Sequence, residues 1–302
     1  MEIQILLPLI FAILSPFFWG LMNVLDKFVI MHKVKNPISF AFIAGMVHLA
    51  IGILLALFLG WHGFTIRELW PAALAGILLG SQFYFYYLML AKEDVSNIIG
   101  FVYFYPIIIS ILSFLFLHEV LSVYSYIGMA LIIAGVISLS IRTKKIKLKL
   151  GIWMIVSLIF VVALYEFFIK VSTINLPELN GIAVNSIFIG LALLPVLLHK
   201  KTRGCLAFEL KNIKWAALNE SFTFLGIATT YFAMKGLPAT VVSSLAATQP
   251  LIVLFIEKAF HKAGLHICSD QKLAPKLISI SLIVAGILLL YLPELIFRLI
   301  NT

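Results

Sequence analysis

Ionisable side chains inside long apolar stretches are the first residues in this sequence that could do chemistry. Glu166 and Glu220 each lie several residues inside such a stretch, and His48 lies near the middle of another. Insertion scales assign a cost of roughly 2.5–3.5 kcal/mol to a charge at the centre of a membrane helix, so such groups are usually paired or functional. A histidine can gain or lose a proton near neutral pH. Glu166, Glu220 and His48 are therefore candidates for proton coupling, with interhelical pairing as the alternative.

Polar and aromatic groups around two prolines form a second set. Pro106 and Pro250 lie at corresponding places in two apolar stretches, where each removes a backbone donor and predicts a kink or hinge. Amide and phenol groups need hydrogen-bond partners in hydrocarbon, so we expect them to face the protein interior. Interhelical hydrogen bonds and static kinks are the alternatives. The predicted substrate-binding residues are Asn23, Gln82, Tyr84, Tyr103, Tyr105, Asn219, Thr248 and Gln249.

The chain that carries these residues has a composition that requires lipid as its solvent. Of its 302 residues, 63% are hydrophobic and only 12% are charged, which is more apolar surface than one soluble core could bury. Runs such as ILSFLFL are apolar on every face, which favours helices over the alternating strands of a barrel. We predict an all-α integral membrane protein, and we interpret the first stretch as a span and not as a removable signal peptide. Ten stretches are long enough to cross a bilayer as helices, at about 5–31, 38–60, 69–91, 95–117, 121–141, 151–171, 180–198, 214–235, 239–260 and 275–297.

The two halves of the sequence resemble each other. The segment 86–112 matches the segment 230–256 at an offset of 144 residues, and LIIAGV at 131–136 returns as LIVAGI at 282–287. Five crossings are an odd number, so the second half enters the membrane from the opposite side. This predicts two inverted five-helix repeats, 1–150 and 151–302, that rock around a central site. A larger helical bundle without transport is the alternative.

Several short motifs give the chain a family resemblance. Trp19 and Gly20 are followed by Asn23, Pro106 is followed by Glu119, and Gly128 precedes the AGV of LIIAGV. In order and spacing, these motifs resemble those of the drug/metabolite transporter (DMT) superfamily, in particular the EamA-like permeases. The resemblance implies a secondary active transporter that moves a small metabolite, such as an amino acid, usually as export, by alternating access around a central cavity. We expect no cofactor and no enzymatic activity.

Charge and the other polar residues limit the partners. The net charge of +9 is concentrated in the loops after odd-numbered stretches, which the positive-inside rule assigns to the cytoplasm, with both termini outside. The resemblance implies the reverse orientation. Short basic loops beside a bilayer explain this charge without nucleic-acid binding. We expect a multi-pass protein of the cell (inner) membrane, as a monomer or homodimer.

Metal chemistry and membrane enzymology are weaker interpretations. His261, His266, Cys268 and Asp270 do not have an established zinc spacing, so we expect no metal. An intramembrane enzyme would need a nucleophile with a base, or a metal set, and no such pattern stands out. A flippase for a lipid-linked carrier is the remaining alternative within transport.

Overall fold

The structure is a computed structural model that describes residues 2–60, 63–91, 102, 104–141, 152–262 and 277–300. The regular elements among these residues are helices, which confirms the predicted all-α class. The first half contains α1 (Glu2–His32), α2 (Pro37–Leu59), α3 (Ile66–Leu90), α4 (Tyr105–Leu117) and α5 (Val123–Ile141). The second half contains α6 (Ile152–Asn175), α7 (Glu178–Leu193), α8 (Lys200–Glu209), α9 (Ile213–Gly236), α10 (Ala239–Ala246), α11 (Gln249–Lys262) and α12 (Leu277–Ile300).

The apolar helices make this chain an integral, multi-pass membrane protein. Helix α9 is as long as the clear spans but more polar, because it carries Asn219, Glu220 and three threonines. Helices α4, α5 and α12 contribute shorter apolar segments. The number of ten crossings stays a prediction. Six segments of the described residues are long and apolar enough to cross a bilayer, namely Leu6–His32, Pro37–Leu59, Ile66–Leu90, Trp153–Asn175, Glu178–Leu198 and Ala239–Lys262.

The main packing contacts join the two halves of the chain. Helix α1 packs on α9, α2 on α7, α3 on α6 and α7, and α5 on α12. The pair α1 and α9 is antiparallel, because Ser15 lies beside Thr230 at one end while Asp26 lies beside Asn219 towards the other. The core is therefore an interface between the halves, and each half supplies the surface on which the other is buried.

The two LI-x-A-G segments pack against each other in a reciprocal way. A Cβ added to Gly135 would lie 2.7 Å from the carbonyl oxygen of Ser279, and one added to Gly286 would lie 2.5 Å from that of Gly128. In the repeat alignment, Gly135 corresponds to Gly286 and Gly128 to Ser279. The same contact therefore occurs twice with the roles of α5 and α12 exchanged, and only glycine permits this approach.

The ninth apolar stretch is two helices and not one kinked helix. Helix α10 ends at Ala246, and α11 begins at Gln249, with Pro250 in its first turn. The backbone N–H of Thr248 donates to Leu245 O at 2.9 Å, and that of Leu251 donates to Thr248 O at 3.0 Å, so tight turns join the two segments. A proline in the first helical turn loses no bond that the helix would have made. Pro106 has the same position at the start of α4.

The connection 199–213, which the sequence analysis leaves as a loop, contains α8. This helix is fastened to the α1–α2 turn, because Glu209 Oε1 accepts hydrogen bonds from the backbone N–H groups of Lys35 (2.8 Å) and Asn36 (3.0 Å). Ser39 Oγ also donates to Thr202 O at 3.0 Å. We call this end of the bundle, with exposed Lys200, Lys201 and Arg203, the basic end. The other end, where α3 begins and α6 ends, is the opposite end.

Candidate functional site

A cavity of about 80 Å³ lies between the two halves of the bundle. This volume is enough for a few water molecules or one small polar group. Its wall is formed by α1, α3, α4, α6, α10 and α11 together with Val102, so both halves contribute to it. The lining residues that can make hydrogen bonds through a side chain are Trp19, Asn23, Gln82, Tyr86, Tyr105, Tyr165, Glu166 and Gln249.

The best-defined polar contact in the cavity joins the two halves. Tyr105 Oη donates to Glu166 Oε1 at 2.9 Å, and both side chains are buried. The second oxygen, Glu166 Oε2, has no hydrogen-bond partner, and neither do Tyr165 Oη and Gln82 Oε1. Unpaired buried polar atoms are costly in a dry interior, so those that line a cavity are natural sites for a ligand or water.

A second contact connects the cavity wall with the basic end. Tyr86 Oη donates to Asn23 Oδ1 at 2.8 Å, and both residues line the cavity. Asn23 lies three residues before Asp26, so the two side chains project from the same side of α1. The cavity is thus one helical turn from a second group of polar residues.

This second group, the carboxylate cluster, consists of Asp26, Tyr87, Asn219, Glu220 and His48. Tyr87 Oη donates to Asp26 Oδ1 at 2.8 Å and lies 3.3 Å from Glu220 Oε1. Asn219 Nδ2 donates to the same Asp26 oxygen at 2.8 Å and lies 3.2 Å from Glu220 Oε1. His48 Nε2 lies 2.9 Å from Glu220 Oε2. All five side chains are almost fully buried, and the cluster lies outside the cavity wall.

Two lysines make corresponding bonds near the two ends of the bundle. Lys27 Nζ donates to Leu90 O at 2.9 Å, at the end of α3. Lys170 Nζ donates to Met234 O and Leu237 O at 2.8 Å each, at the end of α9. Lys170 Nζ also lies 3.5 Å from Glu119 Oε1, and the carboxylate of Glu119 accepts from the backbone N–H of Ala239. The opposite end is thus closed by one connected set of bonds.

The predicted site residues divide into several groups. Asn23, Gln82, Tyr105, Gln249 and Glu166 come together around the cavity, with Pro106 and Pro250 directly beside Tyr105 and Gln249. Asn219, Glu220 and His48 lie together in the carboxylate cluster.

The remaining predicted residues lie elsewhere. Tyr84 lines a separate groove of about 420 Å³ between α3 and the end of α7. Thr248 Oγ1 donates to Leu245 O at 2.7 Å within its own turn and does not line the cavity. Tyr103 lies outside the described residues.

Asp26 and Tyr87 belong to this cluster but are not among the site residues predicted from the sequence. Asp26 lies close enough to the end of the first apolar stretch to be interpreted as a residue at the membrane interface. The spacing of three residues between Asn23 and Asp26 could have indicated Asp26, and the alignment of Tyr87 with Tyr231 in the other half could have indicated Tyr87.

Metal ligands are not grouped in the part of the chain that the structure describes. No three of its His, Cys, Asp and Glu residues come close enough together to hold an ion. His266, Cys268 and Asp270 lie outside the described residues.

The comparisons with known proteins agree with this architecture. Residues 6–141 match the EamA-like transporter family, as the motifs of the first half predict. One solved crystal structure, among 27 matching chains, is similar over 97% of this chain and 97% of its own, with a TM-score of 0.64 and 17% identity. At this identity, the likeness shows the fold alone. No curated protein matches the sequence.

Proposed function

We propose a transport mechanism for this chain on the premise that it is an EamA-like membrane transporter of the drug/metabolite transporter superfamily, as the match of residues 6–141 indicates. The chain is a secondary active transporter that moves a small metabolite by alternating access around the central cavity, in the cell (inner) membrane, as a monomer or homodimer. The observation that carries this proposal is a cavity with unpaired polar atoms whose wall is divided between the two halves.

Corresponding contacts in the two halves support inverted five-helix repeats, 1–150 and 151–302. Gly135 and Gly286 make the same contact with the roles of α5 and α12 exchanged. Lys27 and Lys170 each bind the end of a helix, and their acceptors Leu90 and Met234 correspond in the repeat alignment. Such a relationship gives two equivalent ways to close the bundle, one at each end, and alternating access uses both.

The chemistry of the cavity wall favours a substrate with an amino group. Glu166 is the only ionisable side chain of the lining apart from tyrosines, and no lysine, arginine or histidine of the described residues lines the cavity. A carboxylate oxygen without a partner, in a cavity that the rings of Trp19 and Tyr86 also line, suits an ammonium group through ionic, hydrogen-bond and cation–π contacts. The substrate class is therefore small amines and amino acids.

Proton coupling follows from the same carboxylate. A buried carboxylate needs a compensating cation or a proton in a dry cavity. Exchange of a proton for the ammonium group of the substrate at Glu166 would link the two fluxes in opposite directions, so an inward proton gradient would drive export. Glu220 with His48 is the second candidate for coupling, one helical turn beyond the cavity wall.

The test is uptake by purified protein in liposomes. A panel of labelled amino acids, small amines and small carboxylic acids is offered with and without an imposed pH gradient. We expect uptake of at least one amino compound, stimulation by an outward proton gradient, and a loss of about 100-fold or more in Glu166→Gln. Glu178→Gln, in the first turn of α7 and outside the cavity wall, is the matched control and should transport normally. Uptake of carboxylic acids alone, or equal rates in Glu166→Gln, would contradict the proposal.

A further inference from the structure

The carboxylate cluster contains two acids that share the same hydrogen-bond donors. The hydroxyl of Tyr87 has one proton, yet its oxygen lies 2.8 Å from Asp26 Oδ1 and 3.3 Å from Glu220 Oε1. Asn219 Nδ2 is shared in the same way, at 2.8 Å and 3.2 Å. Both carboxyl side chains have no exposed surface. Two anions this close in a dry interior repel each other, so the pair is stable only if it gains positive charge.

His48 faces Glu220 and not Asp26. Its Nε2 lies 2.9 Å from Glu220 Oε2, whereas its Nδ1 is buried without a partner. This contact can offset at most the charge of Glu220. The hydrogen-bond partners of Asp26, Tyr87 and Asn219, are neutral donors.

Asp26 carries an unpaired acceptor atom of the cluster. Its Oδ1 already accepts from Tyr87 and from Asn219, but its Oδ2 is buried without a hydrogen-bond partner. Asn219 Oδ1, an acceptor in the same cluster, is also unpaired. A proton on Asp26 Oδ2 would neutralise one of the two acids and convert an unpaired acceptor into a donor.

The groups around Asp26 come from α1 itself and from the helices packed on it. Tyr86 and Tyr87 face α1 from α3, Asn219 and Glu220 face it from α9, and His48 faces Glu220 from α2. Lys27 is adjacent to Asp26 in the chain, so the two side chains leave the helix in different directions. Helix α11, which carries Glu257 and Lys258, also packs on α1.

We propose that Asp26, bridged to Glu220 by Tyr87 and Asn219, is a proton-binding site of this transporter, separate from the cavity and connected to it through Asn23 and Tyr86. The step is a simple protonation, in which hydronium at one membrane face protonates Asp26 Oδ2 and water at the other face accepts the proton when the cluster opens there. Only the role of this site in coupling rests on the proposed transport function, because proton binding at Asp26 can be measured without a substrate.

Tyr86 and Asn23 give the site a route to the substrate. Both line the cavity, and the Tyr86 hydroxyl donates to Asn23 one turn from Asp26. A substrate that accepts a hydrogen bond from the Tyr86 hydroxyl would change the hydrogen bonds next to Asp26. Occupation of the cavity and protonation of the cluster would then depend on each other, as coupled transport requires.

Infrared spectroscopy of the purified protein in lipid tests the inference directly. A protonated, buried carboxylic acid gives a carbonyl stretching band that an ionised carboxylate lacks. We expect such a band in the wild type at neutral pH, its loss in Asp26→Asn, and its retention in Glu166→Gln after subtraction of any band of Glu166 itself. Thermal unfolding confirms that each variant is folded. If Asp26→Asn does not fold, Tyr87→Phe serves instead, because loss of the hydroxyl bond to Asp26 shifts the frequency of the band.

The outcomes separate this site from the transport function. A band that persists unchanged in Asp26→Asn, or an unshifted band in Tyr87→Phe, overturns the inference. A spectrum without any acid band at neutral pH also overturns it. In liposomes, Asp26→Asn should reduce stimulation by a pH gradient to the part that proton exchange at Glu166 supplies, while it retains exchange of labelled for unlabelled substrate. If no solute is transported by the wild type, the proposed function fails but the infrared result still decides the proton site.

Discussion

Lys27 and Lys170 make similar bonds in the two halves: each ammonium binds carbonyl oxygens at the end of a long helix of its own half, Leu90 O for Lys27 and Met234 O with Leu237 O for Lys170. Carbonyl groups at a helix C-terminus lack intrahelical donors and carry partial negative charge. A lysine that reaches them from another helix fixes both the position of the helix end and the angle between the helices.

Replacement of either lysine by methionine should destabilise the protein. Hydrogen bonds to charged groups contribute about 1.5–3 kcal/mol, and methionine leaves the carbonyls of Met234 and Leu237, or of Leu90, without this donor. We expect Lys170→Met and Lys27→Met each to lower the free energy of unfolding by about 2 kcal/mol, measured by denaturant unfolding in detergent. Lys262→Met, at an exposed position at the end of α11, is the control. An unchanged midpoint in both variants would show that these bonds are dispensable.

The glycine contacts between α5 and α12 should tolerate no side chain. A Cβ at Gly135 would lie 2.7 Å, and one at Gly286 2.5 Å, from a backbone carbonyl oxygen of the other helix, which is closer than van der Waals contact. Overpacking of this kind costs about 1–3 kcal/mol. We expect Gly135→Ala and Gly286→Ala to lower the unfolding temperature to a similar extent, because the two contacts are equivalent. Gly204→Ala, where nothing lies within 4 Å of the added carbon, should have little effect. A large difference between the first two variants would contradict the exchange of roles between α5 and α12.

Loss of the Tyr105 hydroxyl should weaken substrate binding more than turnover. The bond from Tyr105 to Glu166 holds the carboxylate towards the cavity, and a hydrogen bond of this kind contributes about 1 kcal/mol. Tyr105→Phe should therefore raise KM for an amino substrate about five- to tenfold in the liposome assay. Tyr126→Phe, on the exposed face of α5, is the matched control. Equal KM values in wild type and Tyr105→Phe would remove the tyrosine from substrate binding.

The position of α8 predicts the orientation in the membrane. Lys200, Lys201 and Arg203 are exposed on this helix at the basic end, and the positive-inside rule assigns that end to the cytoplasm. In a background with Cys205 and Cys268 changed to serine, Gly204→Cys should react with a membrane-impermeant maleimide only after the cells are permeabilised. Asn175→Cys, exposed at the opposite end, should react in intact cells. The reverse pattern would favour the orientation that the family resemblance implies.

The sequence predicts the parts of this fold that depend on composition and periodicity. Where the structure describes them, the apolar stretches are helical, and most of their bounds lie close to the predicted ones, because a chain in lipid must satisfy its backbone hydrogen bonds within each segment. The ninth stretch is the exception, since it divides into α10 and α11. The pairing of LIIAGV with LIVAGI could be expected as well, since small residues at corresponding positions permit close packing.

The site was only partly predictable, because its geometry depends on the crossing of helices from different halves. Gln82 and Glu166 are far apart in the sequence, and nothing in their local pattern predicts one cavity for both. Asp26 was missed because its partners, Tyr87 and Asn219, lie on two other helices. The break before Pro250 was missed for a different reason: a proline alone does not distinguish a kink from the start of a new helix.

The packing of each half mainly on the other also bears on how the protein is made. When the first half leaves the ribosome, the faces of α1, α2 and α3 that will contact α9, α7 and α6 have no protein partner, and lipid must cover them. Asp26, on one of those faces, then has its bond from Tyr87 but lacks the bond from Asn219 until the second half is made. Biogenesis thus passes through an inserted but incomplete intermediate, and a chain cut between residues 142 and 151 should assemble only when both pieces are produced together.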